Sequence, residues 1–205
     1  MNGVEDTDIT VGAPQLSQAE IRAKYGFIVP PGPSVIVVGP DRVGKTTIVS
    51  HLSKMLAIPS FKFPSEKEIF KTDGRSSLTF DYGLTHFLSQ TGYRFVSDRG
   101  HPCEFAFSRC FNRPTDRDLL RRIDTAHAKL GTIVLYVSTE NPPIEEDDLV
   151  PKSLFDSVKQ SYDRFGDWTS CRFVPVMTDD MLEEYSNGRD ISERVAHECL
   201  IEMGF

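Results

Sequence analysis

The sequence predicts an α/β fold: a three-layer sandwich with a parallel sheet of about five strands and helices on both faces. Three observations carry this. From Ser34 onward, short apolar runs alternate with segments whose apolar residues recur every three or four positions. The run SVIVVG at 34–39 is almost purely β-branched, as in strands buried on both faces of a parallel sheet. A glycine-rich loop, GPDRVGKTT at 39–47, separates that run from an amphipathic segment. Strands separated by helices are joined by right-handed crossovers, which makes the sheet parallel and covers it on both sides.

Each element has its own signal. The acidic, weakly apolar start and the stiff VPPGP before the first strand mark residues 1–33 as an N-terminal arm. The arm carries one short helix, with Ser17 and Glu20 as a capping box and Tyr25-Gly26 as the stop. After the glycine loop, Ile48, Leu52, Met55 and Leu56 form a helical stripe. PSFKF is the second strand, followed by a helix or loop from Pro64. In SLTFDYGLTHFLSQTG the residues Phe80, Leu84, Phe87 and Leu88 share a face, and YRFVSD is the third strand. A helix starting at Pro102 suits a proline in the first turn. Leu119, Ile123, Ala126 and Leu130 form the next stripe, before the strand TIVLYVS. Leu154, Val158, Tyr162 and Phe165 form another, before CRFVPVM, and ISERVAHECLIEM closes the chain.

Composition narrows the class. The 205 residues, 39% hydrophobic and 26% charged, suit one globular domain at 34–205. A balance of 23 basic against 30 acidic residues, net −7, argues against a protein that lives on duplex DNA or an anionic membrane surface. Cys103, Cys110, Cys171 and Cys199 lack metal-finger spacing and no signal peptide is evident, so they read as reduced thiols of a cytoplasmic protein. No apolar run approaches the roughly 20 residues that span a bilayer, so no membrane association is expected.

Gly39, Gly44, Lys45 and Thr46 match GxxxxGK[ST] between a strand and a helix, which is the context that makes the pattern meaningful and puts the domain in the P-loop NTPase class. The glycines let the backbone close around phosphate oxygens, so that the N–H groups of the loop and of Val43 to Thr47 face an anion. Lys45 would reach the outer phosphates of ATP, and Thr46 would offer its hydroxyl to Mg²⁺. Arg42 can act as a built-in arginine finger. A carboxylate repels phosphates, so Asp41 is read as touching a sugar hydroxyl of a second substrate. Asp98-Arg99 ends the third strand, on the sheet edge where ligands collect. Asp98 can hold the Mg²⁺ or orient an acceptor, and Arg99 can fork onto phosphate oxygens.

With these residues in view, the chain resembles the thymidylate kinases of the subtype that carries its arginine in the phosphate loop. The likeness rests on the loop Asp41-Arg42-Val43-Gly44-Lys45-Thr46, on FKFP ending at Phe63-Pro64, on Phe80 in SLTFDYG and on Asp98-Arg99. It implies a kinase with ATP as donor and Mg²⁺ as cofactor, a small nucleotide as acceptor with thymidylate foremost, Phe80 stacking on a pyrimidine, and a homodimer. It also implies a lid at about 139–151, which here holds no lysine or arginine between Thr139 and Pro151, so that Arg42 must supply the cation. The chain departs from the family pattern at Gly100-His101, at Ser65-Glu66-Lys67 and at Gly83-Leu84. Lys67 is then the candidate cation for the acceptor phosphate, and Arg75, Tyr82, Glu104 or Arg109 are candidates for reading the base. Alternatives stay open: a kinase of a hydroxymethylated pyrimidine in DNA, with DNA as partner; a kinase of another nucleotide or of a nucleoside hydroxyl; and a nucleotide-hydrolysing switch or binding module.

Overall fold

The computed structural model describes residues 33–63, 75–141, 152–188 and 190–205. The arm before Pro33, Lys67 and the lid beyond Asn141 therefore lie outside the described residues. The chain alternates as expected. Strand β1 (Val35–Val38) leads to helix α1 (Lys45–Leu56), β2 (Ser60–Lys62), α2 (Arg75–Thr91) and β3 (Val96–Asp98). Two helices, α3 (His101–Cys110) and α4 (Arg117–Lys129), precede β4 (Ile133–Ser138). A 3₁₀ turn at Lys152–Leu154 opens onto α5 (Phe155–Trp168), followed by β5 (Arg172–Met177), α6 (Asp179–Ser186) and α7 (Ser192–Glu202).

All five strands are parallel, in the order β2-β3-β1-β4-β5. The most buried strands are central: every residue of β1, β3 and β4 is buried, in keeping with the apolar runs of β1 and β4, while β3 buries Ser97 and Asp98 beside Val96. Register aligns Val37 of β1 with Asp98 of β3, and Lys62 of β2 with the same Asp98. The carboxyl ends of these three strands are thus level, and the loops that follow them share one edge. Helices α1 and α7 pack together on one face, where Ile48, Leu52, Ala196 and Cys199 are sealed from solvent. Helices α2 to α5 cover the other, joining Ile36, Val38, Phe107, Ile123, Tyr162 and Phe165 in one core. Burying such side chains contributes about 1.5–3 kcal/mol each.

Local signals behave as the residues dictate. Asp116 caps α4, its carboxylate accepting from the Leu119 N–H at 2.9 Å. Pro102 sits in the first turn of α3, where a missing N–H is harmless. Two differences from expectation are informative. Helix α2 turns Leu78, Asp81, Thr85 and Leu88 inward, while Phe80 and Phe87 are 44% and 51% exposed. The inward face is rotated because Asp81 meets two buried histidines, an interaction that outweighs the apolar stripe. Helix α6 was not foreseen; it is short, and its first turn is acidic.

Candidate active site

The loop after β1 is built on backbone conformations that few residues tolerate. Gly39 has φ 146°, and a Cβ there would run into the Val137 carbonyl oxygen. Gly44, with φ 84°, is the N-cap of α1. Between them Arg42 adopts φ 65°, a left-handed conformation that costs a non-glycine residue about 1–3 kcal/mol. No side chain among the described residues caps the first turn of α1. Val43 is fully buried and tethers the loop, its carbonyl accepting from Thr178 Oγ1 at 3.2 Å.

Three charged side chains meet inside this loop. Lys45 Nζ donates to the Pro40 carbonyl and lies 3.6 Å from Asp41 Oδ1. The same Asp41 oxygen accepts from the Arg99 guanidinium, which arrives from the end of β3. Burial pushes the Lys45 ammonium below its ordinary pKa, and the Asp41 carboxylate opposes that. For Arg99 burial acts in the same sense, but the Asp41 carboxylate wins and holds it above its usual value. Asp41 is therefore the counter-ion of two cations, and its second oxygen, Oδ2, is buried with no hydrogen-bond partner among the described residues. Arg99 Nη1 is likewise buried, with no hydrogen-bond partner among them. Arg99 itself has φ 80°, so both arginines of the site stand in strained backbone.

Thr46 Oγ1 donates to Asp98 Oδ2 at 2.7 Å, while Asp98 Oδ1 is buried and has no hydrogen-bond partner. A hydroxyl and a carboxylate with an unused oxygen, beside a phosphate loop, form the oxygen donor set that suits Mg²⁺. The residues present fit that ion.

These groups open onto one cavity of about 970 Å³. Asp41, Arg42, Gly44, Lys45, Thr46 and Thr47 line it from the loop, Phe63 from the end of β2, and Asp98 and Arg99 from β3. Gly39 and Val43 shape the loop from behind. Phe80 is adjacent, its ring edge-on to Phe63 with centroids 5.1 Å apart. Glu104 and Arg109 are not brought here. Both carboxylate oxygens of Glu104 are bonded to Arg113 within the helical layer. Arg109 lies over the Phe105 ring, in a separate cleft with Arg113, Arg117, Arg121 and Trp168. The wall also contains residues that pattern reading missed: Lys62, Met181, Leu182, Tyr185, Asp190 and Ser192. Lys62 was legible as the exposed position of the alternating FKF; the α6 residues carried only a weak signal, Met181 and Tyr185 four positions apart.

No protein-family model matches the chain, and no curated protein matches it. Solved structures do. The YorR protein of Bacillus subtilis, in complex with phosphorylated GDP, aligns with a TM-score of 0.56 at 20% identity, over 82% of this chain and 93% of that one. Thymidylate kinase from Ehrlichia chaffeensis aligns with a TM-score of 0.50 at 16% identity, over 86% of this chain and all (100%) of that one. At such identities the likeness shows the fold alone, a parallel five-stranded α/β sheet with helices on both sides. No helix among the described residues is long and apolar enough to cross a membrane.

Proposed function

We propose that this protein is an ATP-dependent kinase that transfers a phosphoryl group to the phosphate of a deoxypyrimidine monophosphate, with thymidylate as the first acceptor to test. The observation that carries the reading is the meeting of Lys45 and Arg99 on a single carboxylate oxygen of Asp41, inside one cavity. Two cations delivered by the connections after two different strands, Lys45 at the head of α1 and Arg99 just after β3, suit a donor and an acceptor phosphate lying end to end; a plain hydrolysing switch has no use for the second.

The chain's own residues do five things in this scheme. The backbone of residues 39–47 and Lys45 grip the donor triphosphate. Arg99 and Lys62 draw the acceptor phosphate to the facing wall. Arg42, exposed at the cavity rim, neutralises charge that develops on the transferring group. Phe63 and Phe80 offer ring faces and edges to a planar base. Thr46 and Asp98 would hold Mg²⁺, which when bound supplies charge neutralisation on the triphosphate. Catalysis in such a site is mostly positioning and electrostatics.

The test is incubation with ATP, Mg²⁺ and a panel of nucleoside monophosphates, nucleosides and hydroxymethyluracil-containing DNA, scoring which acceptor gains phosphate. Transfer to thymidylate supports the proposal. Transfer to the DNA alone, or ATP hydrolysis at the same rate with every acceptor, refutes it.

A further inference from the structure

Behind the Asp98-Arg99 turn lies a chain of ionisable side chains that the proposed reaction does not use. Asp81 of α2, His101 at the head of α3, and Asp124 and His127 of α4 are each no more than 1% exposed. Asp81 Oδ2 accepts from the backbone N–H of His101 at 2.8 Å, and its Oδ1 is 2.8 Å from His127 Nε2. The His101 ring reaches Asp124 Oδ1 through Nε2 at 3.2 Å. Asp124 is itself anchored, accepting from the Ser170 N–H at 2.7 Å and from the Thr169 hydroxyl. His127 Nδ1 lies 3.2 Å from Thr132 Oγ1. Four buried ionisable groups are costly unless paired, and here each one is.

The ligand atoms of Asp81, His101 and His127 lie within 4.8 Å of one another, a spacing that raises the question of a metal. The two imidazole rings answer it. They are stacked with planes only 9° apart. Nitrogen lone pairs lie in the ring plane, so stacked parallel rings cannot both aim at one ion; hydrogen bonds are what the geometry fits.

The cluster sits where the backbone is strained. Arg99 has φ 80°, and its N–H is fixed by the Val37 carbonyl at 2.9 Å. Gly100 passes so close to β1 that a Cβ would be 2.9 Å from Ile36 Cγ2. One residue later, Asp81 takes the His101 N–H. A strained residue persists when its surroundings over-determine it. The turn is pinned on one side by β1 and on the other by the cluster.

We propose that Asp81 and His101 are positioning residues: bonded to each other, with the His101 ring bonded in turn to Asp124, they hold the Arg99 turn so that Asp98 stays against Thr46 and Arg99 against Asp41. The effect on turnover rests on the kinase reading above; the effect on the backbone does not.

The test pairs Asp81→Leu, which keeps the branched shape at a larger volume and removes the acceptor, with Asp81→Asn, which keeps an acceptor for the His101 N–H and can donate to His127 Nε2 after a tautomer change. Hydrogen exchange at residues 98–101 should quicken at least about tenfold in the leucine variant, with β4 amides unchanged. Its kcat should fall about 100-fold, with KM for ATP within about threefold, because a small misplacement of reacting groups has that effect. The asparagine variant should regain most of both. Should Asp81→Leu fail to fold, Asp124→Asn, which sets an amide N–H against the Ser170 N–H, carries the same readouts. Unchanged exchange at 98–101, unchanged kcat, or a kcat loss matched by equal loss of ATP binding overturns the proposal. A wild-type protein that phosphorylates no acceptor defeats the kinase reading, and the exchange comparison then decides the positioning claim.

Discussion

Asp41→Asn tests why a loop proposed to grip anions contains a carboxylate. In the ligand-free protein Asp41 balances Lys45 and Arg99, and all three side chains are only 6–13% exposed. Removing one member of a buried ion pair leaves uncompensated charge and costs about 3–5 kcal/mol. The asparagine oxygen can still accept from Arg99, which favours the lower figure. In a domain of this size each kcal/mol moves the midpoint by about 2–4 °C, so the ligand-free variant should melt roughly 10 °C below wild type. A bound triphosphate then supplies the negative charge that Asp41 provided. The nucleotide-induced rise in Tm should therefore be larger in the variant than in wild type, through tighter binding to the native state. Thermal melting without ligand, with sulfate and with ATP·Mg²⁺ makes the comparison. A variant that melts within about 2 °C of wild type, or whose deficit is the same with and without nucleotide, would refute the counter-ion account.

Other consequences are direct. Arg42→Ala should lower kcat by about 10³-fold while ATP affinity, measured by titration, stays within about threefold, because its charge matters chiefly in the transition state. Lys62→Ala should raise the acceptor KM about tenfold, the loss of one charge-assisted contact, with KM for ATP unaffected; steady-state kinetics with each substrate varied separates the two. Burial pushes the Asp81 carboxyl up, but the His127 charge and the hydrogen bonds from both histidines outweigh it and hold it well below the carboxylate range. Its stabilisation is therefore present above the unfolded value near 4 and lost as pH falls towards the folded one. Burial lowers His101, but its ring hydrogen bond to Asp124 and the nearby Asp81 carboxylate raise it above its ordinary value. That contribution is complete below about pH 6.5 and disappears as pH rises through the higher folded value. Urea unfolding of His101→Gln should lack this decline above neutrality; an identical pH profile in the variant would remove His101 from the account.

Much was legible because the information is local. The alternation of apolar runs, the GxxxxGK[ST] spacing and the acid-arginine pair after a buried strand required only chain connectivity and the rule that parallel strands deliver their loops to one edge. Asp41, Arg42, Lys45, Thr46, Phe63, Asp98 and Arg99 accordingly line the same cavity. Glu104 and Arg109 belonged to a helix whose direction relative to the sheet no sequence pattern specifies, and the helical layer claimed both, one for Arg113 and one for the Phe105 ring. Helix α2 shows the limit of periodicity. Phe80, Leu84 and Phe87 and the set Leu78, Asp81, Thr85 and Leu88 both satisfy helical spacing, and only the partners of Asp81 decide which face is buried.

By itself, then, the sequence determined the α/β architecture and a tight glycine loop of GxxxxGK[ST] spacing at the head of α1, because hydrophobic period and glycine conformational freedom are properties of neighbouring residues. Tertiary structure alone decided that Asp41 pairs with Arg99, 58 positions away, that Lys62 and α6 complete the cavity, and that two histidines and two aspartates lie buried behind the turn. Such pairings follow from crossovers that bring distant segments to the same edge of the sheet, and the strength of an ionic contact there depends on burial, which is a property of the packed molecule.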